Sequence, residues 1–320
     1  MRFWITALLI VSASGCGRKA NTPLRIGINP WPGYEFLFLA KQKGFLEQHG
    51  ARVELLEYSS LGDVRRAFEM GKIDGMACTL IEVLMARENS PRLPRAFLVT
   101  DFSDGADVIL ADSKVSGIGG LKGKSIGAET ASLGVFMLSR ALERAGLALS
   151  DVALIPMDQA HMEKALGQGQ VDAVITYPPE SVKILAKGKA NRIFDSSLIP
   201  GEVIDVVALD AAILAARERE VAGILRAWDQ ALAYAARHPE ESYALMARRE
   251  RISPEEFRKA LEGIRVLSTS EQRSWFEPGG KLEVQVRAVD RTLRGVGALA
   301  GPDVTGGVVA GAPLRLAAVR

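Results

Sequence analysis

Residues 24–49, LRIGINPWPGYEFLFLAKQKGFLEQH, constrain the fold of this chain more than any other stretch. Leu24, Ile26 and Ile28 alternate with Arg25, Gly27 and Asn29, the period of a half-buried strand, and Pro30 ends it because proline lacks the ladder N–H. From Phe36 a helix takes over, with Phe36, Leu39, Ala40, Lys43 and Gly44 at three- and four-residue spacing and Gly44 as its stop. Between them lies Trp31-Pro32-Gly33-Tyr34-Glu35. A loop at the carboxyl end of a strand is where open α/β sheets place ligands, so Trp31, Gly33 and Tyr34 are candidate ligand contacts. The alternative is an ordinary turn whose rings cap the helix.

At 320 residues the chain exceeds the usual single core, and a hydrophobic content of 48% is ample for two lobes. A formal charge of +2, with no long basic run, argues against a nucleic-acid partner. Arg2, the apolar run Phe3 to Val11 and the small residues up to Gly15 have the form of a secretion signal too short to span a bilayer. The residues before Cys16 resemble a bacterial lipobox, with Ala13 in place of the more usual Leu; Cys16 is then the lipidated first residue of the mature protein, and residues 16–23 a tether. Cys78 would be left alone, without a disulfide partner.

Further along, Arg52 to Tyr58 reads as a strand, Asp63 as the cap of a helix through Phe68, and residues 73–78 as a buried strand that ends at Thr79. Arg95 to Thr100 is another strand, running into the polar segment 101–107, and Ile199 to Leu209 repeats that polar-then-apolar pattern. These two segments are expected to be crossings between lobes. Between them, strands at 125–128, 153–156 and 171–176 alternate with helices at 133–145 and 159–167, which predicts a mostly parallel sheet. The expected organisation is 24–104 and 204–299 in the first lobe, 105–203 in the second, with amphipathic C-terminal helices on the first and a poorly ordered tail over 300–320.

WPGY in the first loop, the G-x-x-D-G lead-in at 71–75, LKGKSIG at 121–127 and GQVDAVITYPPE at 169–180 together, in that order, resemble periplasmic solute-binding proteins of the nitrate/sulfonate/taurine group, which serve ABC importers. The resemblance implies a two-lobed α/β clamshell (type II) that binds a small solute, presents it to an inner-membrane ABC permease, acts as a monomer and performs no covalent chemistry; no cofactor is called for. It extends to pyrimidine-synthesis proteins of the thiamine pathway, so an enzyme of the same fold is the rival, as is a receptor read by a membrane sensor. Tyr177 and Glu180 match the aromatic-Pro-Glu position at which the second lobe meets the ligand.

Thr79 and Ser132 sit at strand-to-helix junctions, where free N–H groups could hold an anionic or carbonyl group of a ligand, though plain N-capping explains them equally. Asp101, Asp104 and Asp107 are spaced like a calcium loop but lack its remaining ligands, so Asp101 and Ser103 are taken as hinge or ligand contacts and no metal is expected. With Glu35, Glu180 and Asp205 also placed in cleft-facing loops, the site reads as acceptor-rich, which favours an amine, amidine or heterocycle over a bare anion. Gly123-Lys124-Ser125 misses the phosphate-loop pattern at Ile118, and the three histidines are scattered without a metal motif. The lipobox reading predicts that labelled palmitate is incorporated into the full-length chain expressed in a bacterial host and is lost in Cys16→Ser; equal labelling of both would rule it out.

Overall fold

A chain that leaves one lobe at the carboxyl end of a strand must start the next lobe with a strand running away from the border, and this decides the topology. The computed structural model describes residues 22–318, so the expected secretion signal and the lipidation expected at Cys16 lie outside the described residues. The first lobe opens with β1 (Leu24–Ile28), α1 (Glu35–Gln42), α2 (Phe45–Gln48), β2 (Val53–Glu57), α3 (Leu61–Glu69), β3 (Gly75–Thr79), α4 (Leu80–Asn89) and β4 (Pro94–Ser103). The second holds β5 (Val108–Asp112), β6 (Ser125–Ala128), α5 (Leu133–Arg144), β7 (Ala153–Pro156), α6 (Gln159–Gly167), β8 (Ala173–Thr176), α7 (Glu180–Ala186) and β9 (Ala190–Asp195). The chain then returns to the first lobe with β10 (Ile204–Asp210), α8 (Ala211–Ala216), α9 (Glu218–Arg237), α10 (Pro239–Glu250), α11 (Pro254–Glu262), β11 (Ile264–Val266), α12 (Lys281–Gly295) and α13 (Ala312–Ala318).

The two sheets have the orders β11-β4-β10-β3-β1-β2 and β7-β6-β8-β5-β9. In the first, β1 is parallel to β2 and β3 while β10 is antiparallel to β3 and β4; in the second, β6 is parallel to β7 and β8 while β5 is antiparallel to β8 and β9. Most strands of each sheet therefore point one way. The exceptions, β5, β10 and the short β11, all begin at the border. The carboxyl ends of β1, β3, β4, β6 and β8 accordingly face one another across a single cleft.

The two crossings are fastened together. Ser103 Oγ and Ser196 Oγ are 2.7 Å apart, Ser196 Oγ accepts from the Gly105 N–H at 2.7 Å, and the Ser196 N–H donates to Asp107 O at 2.9 Å. Gly105 has φ of +111°, a conformation that only glycine adopts readily. Over the first lobe, the Trp228 indole of α9 donates to Leu267 O at 2.8 Å and its ring meets Phe36 of α1 edge-on at 5.8 Å, which seats the C-terminal helices where their amphipathic pattern put them.

Two expectations are corrected. Ser60, not Asp63, caps α3: its hydroxyl accepts from the Asp63 N–H at 3.1 Å, so Asp63 occupies the third helical position. Nor are residues 304–318 a loose tail. The Ala96 N–H donates to Val308 O at 2.7 Å, the Ala310 N–H to Ala96 O at 2.8 Å, and Arg87 Nε to Val304 O at 2.7 Å, while Val308, Ala310 and Leu314 are buried. The part of this strap before α13 shows no period because residues 308–310 are stitched by backbone to β4 at Ala96. Leu314→Ala should lower the free energy of unfolding in urea by about 2–4 kcal/mol; an unchanged midpoint would mean that the strap is not part of the folded unit.

Candidate functional site

The converging strand ends put residues from both lobes around one small cavity. From the first lobe come Asn29, Trp31 and Tyr34 after β1, Leu61 at the start of α3, Thr79 at the end of β3 and Asp205 at the start of β10; from the second come Asp107 before β5, Leu133 at the start of α5 and Tyr177 after β8. About 10 Å³ is open to the centre of a water molecule, the least that a single water requires. The lobes are thus closed on each other, and a ligand larger than a water needs them to part.

Three rings form the walls. Trp31 of the first lobe meets Tyr177 of the second edge-on, with centroids 5.9 Å apart and planes at 82°, and Tyr34 lies 6.5 Å from Trp31. Trp31 is held from behind: its Nε1 donates to Asp101 Oδ1 at 3.2 Å. Tyr34 donates its hydroxyl to Asp205, and Tyr177 donates to Glu129 Oε2 at 3.4 Å. Gly33 is required by this arrangement, since a Cβ there would stand 2.1 Å from Asp101 Oδ2.

The electrostatics are one-sided. Asp101 and Asp205 face each other across the β4–β10 ladder, an arrangement of like charges that sheets ordinarily avoid. Burial pushes Asp101 up to about 7 and Asp107 up to about 7. Asp205 is raised well above the carboxylate range, by burial first and then by the charge of Asp101. Glu129 rises to about 8 through burial and the nearby Glu82 charge. Among the described residues, no Lys, Arg or His lines the cavity. Among the buried side-chain atoms without a hydrogen-bond partner are Asn29 Oδ1 and Asp107 Oδ2, both on cavity residues, and Glu129 Oε1 behind Tyr177.

Of the residues singled out in the sequence, Trp31, Tyr34, Thr79, Tyr177 and Asp205 line the cavity, while Asp101 and Gly33 support Trp31. Four do not reach it. Glu35, 2% exposed, lies behind the loop on α1, where Arg249 of α10 donates to its Oε2 at 3.0 Å; burial lifts it to about 8 against the pull of that arginine. Glu180 turns to Lys183, 2.6 Å away on its own helix. Ser103 is committed to the crossings, where its hydroxyl also accepts from the Asp107 N–H at 3.1 Å. Ser132 gives its hydroxyl to Glu82 Oε1 at 2.6 Å, so the α5 N-terminus holds a protein carboxylate in place of the ligand group considered for it.

Asn29, Leu61, Asp107, Leu133, Glu82 and Glu129 are additions of the structure. Asp107 stood in the acid cluster already noted, and Glu129 follows the strand at 125–128 as Trp31 follows β1, so the same strand-end rule reaches it. Glu82 reads in sequence only as the partner of a capping Thr79.

A family model described as NMT1/THI5 like matches residues 31–242, more than half of the 320-residue chain. The chain belongs to the NMT1/THI5-like family. This family member is 27% identical over 248 residues to a putative thiamine biosynthesis protein of Haemophilus influenzae, an alignment covering 75% of this chain and 76% of the relative. Its fold is that of the alkanesulfonate-binding protein of Xanthomonas axonopodis pv. citri bound to MOPS, with a TM-score of 0.76, 20% identity and coverage of 90% of this chain and 97% of the other. A desulfurization enzyme, DSZB, shares the fold at a TM-score of 0.66 and 16% identity, covering 91% and 98% of the two chains. The two-lobed periplasmic-binding-protein clamshell expected from the sequence is the architecture of this family member.

The buried carboxyls set the pH dependence of stability. Asp101 and Asp107 keep their protons in the folded protein up to about pH 7, whereas in the unfolded chain they release them near about pH 4. Their contribution is thus fully present below the unfolded value and is lost as pH rises through the folded one. Urea unfolding should give a lower midpoint at pH 8 than at pH 5, and Asp107→Asn should flatten that dependence by up to about 3 kcal/mol. A variant curve parallel to wild type would show that Asp107 is already ionised in the folded protein at pH 5.

Proposed function

We propose that this family member is an extracytoplasmic solute receptor, anchored through a lipid on Cys16, that closes around a small N–H-donor ligand and presents the closed form to an ABC permease. The observation that carries the ligand class is the cavity's donor–acceptor balance. Asp107, Asp205 and Asn29 line it, no cationic side chain among the described residues does, and Asn29 Oδ1 and Asp107 Oδ2 lack partners. The unmet acceptor Asn29 Oδ1 costs about 1–3 kcal/mol, which a ligand N–H recovers, and a cationic ligand would also favour the carboxylate form of Asp107. Trp31, Tyr34 and Tyr177 favour a flat or cationic group by their faces and edges. An amine, an amidine or an aminated heterocycle fits these demands; a sulfonate or nitrate, which brings only acceptors, does not.

Closure supplies the signal to the permease, because contacts drawn from both lobes favour the closed form over an open one. An enzymatic role is less well supported. The one cysteine among the described residues, Cys78, is buried, and its thiol is pushed well above its ordinary value by burial and the Glu82 charge, which holds it as the unreactive thiol.

A thermal-shift panel of amines, guanidines, aminopyrimidines, sulfonates and nitrate, on protein from residue 17 onward, tests the ligand class. At 100 times its dissociation constant a true ligand adds about 2.7 kcal/mol. The shift should come from the nitrogen-rich compounds and disappear in Trp31→Ala and Asp205→Ala. Stabilisation by sulfonates or nitrate alone would overturn the assignment.

A further inference from the structure

Glu82 sits in the first turn of α4 in the first lobe, with none of its surface exposed. Its Oε2 accepts from the Thr79 N–H at 3.0 Å and the Thr79 hydroxyl at 2.6 Å, completing a capping box on its own helix. Its Oε1 reaches the other lobe, accepting from the Ser132 hydroxyl at 2.6 Å and the Leu133 N–H at 3.0 Å. One carboxylate therefore serves the N-termini of two helices on opposite sides of the cleft. Ser132 is the N-cap residue of α5 yet makes no side-chain cap, and the Leu133 N–H finds its side-chain acceptor in Glu82 instead. Thr79 and Leu133, a partner from each lobe, both line the cavity, which puts the bridge against the ligand space.

We propose that Glu82 is an interlobe latch and the determinant of ligand charge: it supplies from within the protein the anion that the α5 N-terminus would otherwise take from a ligand. A helix N-terminus presents unpaired N–H donors and a positive dipole end, and it favours a negative group. In this chain that demand is met before any solute enters. The latch thus rewards closure without an anionic ligand, and its charge helps Asp107, Glu129 and Asp205 to retain their protons. A sulfonate entering the cleft would meet an occupied helix terminus and a like charge. A nitrogen cation would meet neither.

The latch rests on the clamshell-receptor reading for its purpose, but it can be tested without a ligand. In ligand-free full chain, the Leu133 amide should exchange at least about tenfold faster in Glu82→Gln and in Ser132→Ala than in wild type, as expected for loss of a hydrogen bond to a charged group, and small-angle scattering should show a larger radius of gyration. Ser132→Ala carries the test if Glu82→Gln does not fold. In calorimetric titrations, sulfate and methanesulfonate should give no heat of binding with wild type and should bind Glu82→Gln. Unchanged Leu133 exchange and radius in both variants would overturn the latch, and so would sulfate binding wild type as tightly as Glu82→Gln. A loosened Leu133 with no response to any solute would sink the receptor reading alone, and a normal solute response with unchanged exchange would sink the latch alone.

Discussion

Carboxyl groups withdrawn from water need a proton or a donor, and the closed cleft gathers Glu82, Asp101, Asp107, Glu129 and Asp205 where neither comes from bulk solvent. The surrounding structure is arranged around that requirement. Trp31, Tyr34 and Tyr177 each give their one polar hydrogen to a member of the group. Glu82 takes four donors from two helix termini. Asp107 Oδ2 and Asn29 Oδ1 are left without a hydrogen-bond partner.

The aromatic loop is built to hold its shape against this field. Pro30 and Pro32 flank Trp31, Gly33 lets the backbone approach the Asp101 carboxyl, and α1 starts at Glu35, itself fixed to α10 through Arg249. Through Trp228 and Phe36 the C-terminal helices brace the same loop from outside. A ring supported on that many sides is a rigid surface, and rigid rings give contact area at little entropic cost.

The comparison with the alkanesulfonate-binding protein separates fold from ligand. The two share an architecture over 90% of this chain at 20% identity, and the fold by itself places strand ends at a cleft without choosing what sits there. In this chain acid side chains, Asp107 and Asp205 among them, stand at those ends. Like folds also serve catalysis, as in the desulfurization enzyme.

The sequence by itself determined the strand–loop–helix opening and the alternation of strands and helices, and it named five residues that line the cavity, because period, proline and strand-end position are local signals. It did not determine that Glu35 turns outward to Arg249, that Ser103 fastens the crossings, that Glu180 stays with Lys183, or that 304–318 is a strap; each depends on a partner that is distant in the chain or on which face a helix turns inward. Glu82 is the clearest case. Three residues after Thr79 it reads as half of a capping box, and that half is real. Its other oxygen finds Ser132 and Leu133 only when two crossings fold one lobe over the other, since a contact fifty residues away leaves no trace in local periodicity.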